Sequence, residues 1–135
     1  MSNEILSAQE IQKMSALALA HIGDAVFELL VRTELCRNGL SVNANLHKQT
    51  VAKVCAPAQA AFLERILPYL NEQEEAVYRR GRNAHVHAIP QNATRAQYGK
   101  ATGLEALFGM LYLSGQKERI AQLYAMGREE EINAV

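Results

Sequence analysis

With 135 residues, 49% of them hydrophobic, the chain has the length of one folded domain and is too apolar for a disordered one. Its 14 basic and 14 acidic residues cancel, which excludes attraction to a polyanion by net charge alone. No apolar run reaches the length of a membrane span, the first residues lack a basic-then-apolar leader, and Cys36 and Cys55 show neither CxxC nor zinc spacing. Reduced thiols in a cytoplasmic protein with no membrane association are expected.

Taken in chain order, Ser7 and Glu10 have the capping-box form and predict a short helix. Ser15 caps a longer one, ALALAHIGDAVFELLVRTELCRN, in which Leu19, Ile22, Val26, Leu29 and Leu30 recur at helical spacing. Gly39 supplies its stop. A helix is expected at about 45–55. Pro57 suits the first turn of the next, PAQAAFLERIL, which ends near Pro68. Asn71 with Glu74 is a second capping box, opening EQEEAVYRRGR. Residues 83–91 carry no helical period and read as a loop. Asn92 or Thr94 caps a long apolar helix through about Ser114, and a last helix covers about 116–130. No stretch alternates apolar and polar residues long enough for a strand. The expectation is an all-α bundle with short connections, one domain over 1–135.

The charges are segregated. No acid lies between Glu34 and Glu64, a window holding Arg37, Lys48 and Lys53. None lies between Glu75 and Glu105, a window holding Arg79, Arg80, Arg82, Arg95 and Lys100. A neutral chain arranged in this way can turn a basic face to phosphates; ordinary solvated surface is the plainer alternative.

Two carboxylates stand apart from the rest. Asp24 is the only aspartate of the chain and sits inside an apolar helix, sharing a face with His21 and Glu28. Asp is a poor helix former, and a buried carboxylate is costly unless it is paired or bound to a metal. Gly23 beside it costs roughly 1 kcal/mol in a helix interior and points to a close approach by another backbone or a ligand. The plain alternative is that Asp24 caps a neighbouring helix or pairs with an arginine. Glu105 is the only acid between Glu75 and Glu118, in the most apolar helix, with uncharged helical neighbours Ala101, Thr102, Phe108 and Gly109. If these two helices pack together, the two acids can meet, and like charges repel unless they share a proton or a cation. Mg²⁺ suits such a site, because it takes one or two carboxylates, keeps several waters and engages phosphates. Glu28 is a weaker candidate ligand, since Arg32 lies four residues on and makes an ordinary ion pair. His85 and His87 alone do not make a zinc site.

These residues resemble a known family. ALAHIGDAVFELLV is similar to the signature helix of ribonuclease III, whose aspartate is catalytic, and TGLEALFGMLYLSG to that family's second acidic helix. The separation of about 80 residues between them suits the same domain. LHK at 46–48 and RGRNA at 80–84 bring the match closer to the mini branch of the family, which consists of the endonuclease domain alone. The resemblance covers roughly 15–130.

The resemblance implies an all-helical homodimer that cuts double-stranded RNA with Mg²⁺, leaving 5′-phosphate and 3′-hydroxyl ends, and a role in maturing large-subunit (23S) ribosomal RNA. It places Asp24 and Glu105 at the metal-binding catalytic positions. Elsewhere this chain departs from the fuller pattern. Ala20 and Leu17 stand where glutamates precede the aspartate, and Thr102 stands where an aspartate precedes the glutamate. The usual double-stranded RNA-binding domain is missing from the match, so duplex affinity has to come from Lys48, Lys53, Arg79, Arg80, Arg82, Asn83, Arg95 and Lys100. A duplex carries little readable sequence in its wide minor groove, so phosphate and 2′-hydroxyl contacts are what such residues would make. Gly23, Ala25 and Gly103 would permit close helix packing in a dimer. The alternative reading is a non-catalytic RNA- or ribosome-binding module on the same fold; retention of both acids argues against it.

Overall fold

The computed structural model describes residues 5–39, 44–84 and 92–128. Among these residues there are seven α-helices and no strand: α1 (Ala8–Gln12), α2 (Ala16–Arg37), α3 (Ala44–Val54), α4 (Ala56–Ile66), α5 (Glu72–Arg82), α6 (Arg95–Leu113) and α7 (Lys117–Gly127). A 3₁₀ turn, Leu67–Tyr69, follows α4. No described helix is long and apolar enough to cross a membrane.

The helix starts lie where local chemistry sets them. Ser7 and Glu10 cap α1 reciprocally, as Asn71 and Glu74 cap α5. The Ser15 hydroxyl accepts the Ala18 N–H at 3.0 Å. Thr94, not Asn92, caps α6, because Gln97 three residues on accepts a hydrogen bond from the Thr94 N–H in return. Beyond α2, Gly39 takes a φ of +83°, which glycine adopts without the strain a side chain would bring. The expected last helix, about 116–130, runs only from Lys117 to Gly127, where Arg128 turns extended and ends it, and residues 129–130 lie outside the described ones. So do residues 85–91 of the expected 83–91 loop, including His85 and His87.

The buried stripe of α2 is offset from the one its apolar spacing predicts. Leu19, Ala20, Gly23, Phe27, Val31 and Leu35 are buried. Ile22, Val26 and Leu30 are only half-buried, and Leu29 is 65% exposed. The helix therefore has two apolar faces, and both satisfy a 3.6-residue period. Only packing decides which one enters the core. Leu29 shares a surface depression with Tyr112, which is also exposed.

Helix α6 is the centre of the bundle, packing against α2, α4, α5 and α7. From Ala101 to Leu111 every residue is buried except Glu105, which is half-buried, as expected of a helix that is apolar all round. Phe27 meets Phe62 and Phe108 edge to face, with ring centroids 5.0 and 5.7 Å apart. At the far end, Arg119 of α7 grips buried Glu74 with two hydrogen bonds of 2.8 Å and donates to the Tyr69 carbonyl at 2.9 Å. Burial opposes the charge on Glu74, but the Arg119 hydrogen bond, the Asn71 N–H and the Arg119 charge outweigh it and hold the carboxyl below its usual range.

Two glycines let α2 and α6 touch backbone to backbone. A Cβ on Gly23 would stand 1.6 Å from the Glu105 carbonyl oxygen, and one on Gly109 would stand 2.0 Å from the Leu19 carbonyl oxygen. Gly103 lies close to Tyr78 of α5 in the same way. The close helix packing that the small residues Gly23 and Gly103 permit is thus made inside one chain. Ala25 is exposed.

Candidate active site

The crossing of α2 and α6 brings Asp24 and Glu105 together across about 80 residues of sequence. Gly23 is pressed against the backbone of Glu105, so the next side chain on α2 emerges beside the Glu105 carboxyl. The two carboxyl groups lie within hydrogen-bonding reach of each other. Asp24 is exposed, while Glu105 is half-buried behind it. Burial first, and the Asp24 charge second, push the Glu105 carboxyl from its ordinary 4.5 to about 8. At neutral pH, with no cation between the two groups, Glu105 holds a proton. Asp24 neither caps a helix nor pairs with an arginine among the described residues.

Both acids face a cleft of about 480 Å³. Its walls come from the α3–α4 junction (Val54, Cys55, Ala56, Pro57, Gln59) and from the start of α6 (Asn92, Ala93, Tyr98, Ala101, Thr102). The Thr102 hydroxyl is buried and donates to the Tyr98 carbonyl at 3.0 Å, which leaves its oxygen as a neutral donor to a cation. Gln59 is 2% exposed, and its Nε2 donates to Glu105 Oε2 at 3.4 Å. Among the described residues no group of three or more His, Cys, Asp or Glu side chains could hold a metal together. Glu28 is held by Arg32, whose Nε donates to it at 2.8 Å, so it makes the ordinary ion pair rather than joining Asp24. His21 and His47 are exposed, and both cysteines are free and exposed.

None of the eight basic and polar residues singled out for RNA lines the cleft itself. Arg79 is paired with Glu75 at 2.8 Å, and Arg80 donates to the Met14 carbonyl at 2.7 Å. Arg82 lies 5.7 Å from the centre of the Tyr78 ring and donates to Asn83 at 3.1 Å. It also packs beside Gly99, one residue from Tyr98 of the cleft. Lys100 is paired with Glu64. Lys53 lines a separate cavity of about 140 Å³ with Arg65 and Arg128. Lys48 and Arg95 are exposed. Sequence reasoning missed Gln59 and Tyr98. Gln59 carried a signal, because it occupies a core position of α4 in register with Phe62, Leu63 and Ile66.

Known proteins resemble this chain in sequence and in fold. Residues 17–116 match the model of the ribonuclease III domain. The chain is 47% identical over 107 residues to Mini-ribonuclease 3 of Symbiobacterium thermophilum, covering 79% of this chain and 82% of that protein. It is 40% identical over 122 residues to Mini-ribonuclease 3 of a Thermoanaerobacter species, covering 90% and 86%. The crystal structure of a Fusobacterium nucleatum protein superposes with a TM-score of 0.78 at 32% identity, covering 86% of this chain and 93% of that one.

Proposed function

Because the chain belongs to the ribonuclease III family and is an endoribonuclease of that family, we propose that it cuts double-stranded RNA with Mg²⁺ in the cleft between Asp24 and Glu105. The products would carry 5′-phosphate and 3′-hydroxyl ends, and the substrate would be precursor large-subunit (23S) ribosomal RNA. One observation carries the reading: Asp24 and Glu105 meet in one cleft, where burial first and the Asp24 charge second keep a proton on Glu105 to about pH 8. A hard divalent cation relieves that repulsion, and the donors fit it. Two carboxylates and the neutral oxygen of Thr102 are ligands that Mg²⁺ accepts alongside its waters.

When bound, Mg²⁺ supplies positive charge to a phosphodiester oxygen and lowers the pKa of water for in-line attack. The chain's own residues do the rest. Glu105, anchored in the centre of the bundle, fixes one side of the site, and exposed Asp24 would hold the ion on the side where the phosphate enters. Tyr98 and Asn92 stand on the wall where ribose hydroxyls would pass. Lys48, Arg79, Arg80, Arg82, Asn83, Arg95, Lys53 and Lys100 would hold phosphates along the duplex outside the cleft. Such contacts position an RNA without reading its bases.

One cleft cuts one strand, so a duplex needs two. Exposed Leu29 and Tyr112 adjoin Asp24, because they line one depression with Ile22, Asp24, Ala25 and Val26, rimmed by His21, Glu28 and Arg32. A second copy of the chain seated there would cover them and set two clefts about a two-fold axis.

The test is cleavage of a defined duplex in Mg²⁺, with analysis of the ends, beside Asp24→Asn and an EDTA control. Cuts that persist in Asp24→Asn sink the mechanism. Tight duplex binding without cuts by the unaltered chain favours the binding-module reading.

A further inference from the structure

Gln59 is a costly residue for its position. It occupies a core register of α4, where Ala60, Phe62, Leu63 and Ile66 are buried beside it. Burying an amide is unfavourable unless its hydrogen bonds are made. One is made, from Nε2 to Glu105 Oε2 at 3.4 Å. Its Oε1 meets no donor among the described residues. The side chain nevertheless lines the cleft rather than the core proper. An apolar side chain of similar volume would pack α4 on α6 without that penalty, so packing alone does not account for it.

We propose that Gln59 is a positioning residue for the metal site: its N–H holds the Glu105 carboxyl in the orientation that faces Asp24, and its Oε1 accepts a proton-bearing group that enters the cleft. The proposal rests on the Mg²⁺ reading of this cleft. Its logic is the small number of acids. With Asp24 and Glu105 as the only carboxylates among the described residues of the cleft, misdirecting one removes half of the charged ligands. Glu105 has no charged neighbour on its own helix to steer it. Groups that hydrogen-bond a metal ligand typically change metal affinity by about 10- to 100-fold when removed.

The test is calorimetric titration of Mg²⁺ into the RNA-free chain and into Gln59→Leu, Glu105→Gln and the double variant, with thermal melts of each. The expected result is roughly tenfold weaker Mg²⁺ binding in Gln59→Leu, with a cooperative melt. The double variant should bind no more weakly than Glu105→Gln alone, because Gln59 acts through that carboxyl. If Gln59→Leu does not melt cooperatively, Gln59→Met, which keeps the length of the side chain, takes its place. Binding within about twofold of the unaltered chain, against the roughly tenfold expected, or a loss that adds to that of Glu105→Gln, overturns the inference and leaves the Mg²⁺ reading standing. Failure of the unaltered chain to bind Mg²⁺ overturns both.

Discussion

Gly23 and Glu105 meet through their backbones, and that contact sets where both catalytic candidates stand. A methyl group on Gly23 would fall on the Glu105 carbonyl and against the Gly109 nitrogen, neither of which is a flexible side chain that can swing aside. The helices would have to part, carrying Asp24 away from Glu105.

Gly23→Ala is therefore expected to destabilise the chain by about 3 kcal/mol through overpacking. The roughly 1 kcal/mol that alanine gains over glycine in a helix does not offset this. Chemical denaturation measures the loss, and RNA cleavage should fall with it. A variant as stable as the parent would show that α2 and α6 are not in contact here.

The raised pKa of Glu105 has a definite sign. In the unfolded chain the carboxyl ionises near 4.5; in the metal-free fold it keeps its proton to about pH 8. The folded state binds more protons in that window, so this site's contribution to stability is complete below 4.5 and is lost as pH rises toward 8. Melting curves of the metal-free chain minus those of Glu105→Gln should show that decline. Mg²⁺ should counter it more strongly near the top of that window than in its middle, because binding releases the proton. A difference that is flat with pH would contradict the placement of Glu105.

Arg119 ties α7 to α5 through a carboxylate whose side chain is 1% exposed. Arg119→Met leaves Glu74 charged and without its partner in the interior. The expected loss is about 3 kcal/mol, read as a lower denaturation midpoint. Glu74→Gln with Arg119→Met should recover part of it, since no buried charge remains.

Leu29 is 65% exposed in the depression it shares with Tyr112. Leu29→Lys should leave the melt of the single chain unchanged and convert a dimer to a monomer in sedimentation equilibrium. A parent that sediments as a monomer at all concentrations would remove the two-fold arrangement.

Lys48 and Arg95 are exposed and lie outside the cleft. Alanine at either should weaken duplex binding without changing the cleavage position. For each phosphate that the variant no longer holds, the salt slope of binding should fall by about 1. An unaltered slope would assign them to ordinary surface.

The helices and their starts were legible in the sequence, because caps and turns are decided by residues three or four apart. Ser7, Ser15, Asn71 and Thr94 needed no tertiary partner to act. Asp24 and Glu105 were legible as anomalies, since a carboxylate in an apolar helix is conspicuous wherever the helix packs. Which face of α2 enters the core was not legible. Leu29 and Phe27 are equally hydrophobic in the pattern, and only the fit of Gly23 against α6 buries one and exposes the other. Gln59 was hidden for the same reason: a lone polar residue on a core stripe means nothing until a partner 46 positions away arrives beside it. The sequence alone determined which elements form and which acids are unusual, because both are local matters. The tertiary structure decided that the acids share one cleft, because that depends on how closely two helices without intervening side chains can approach.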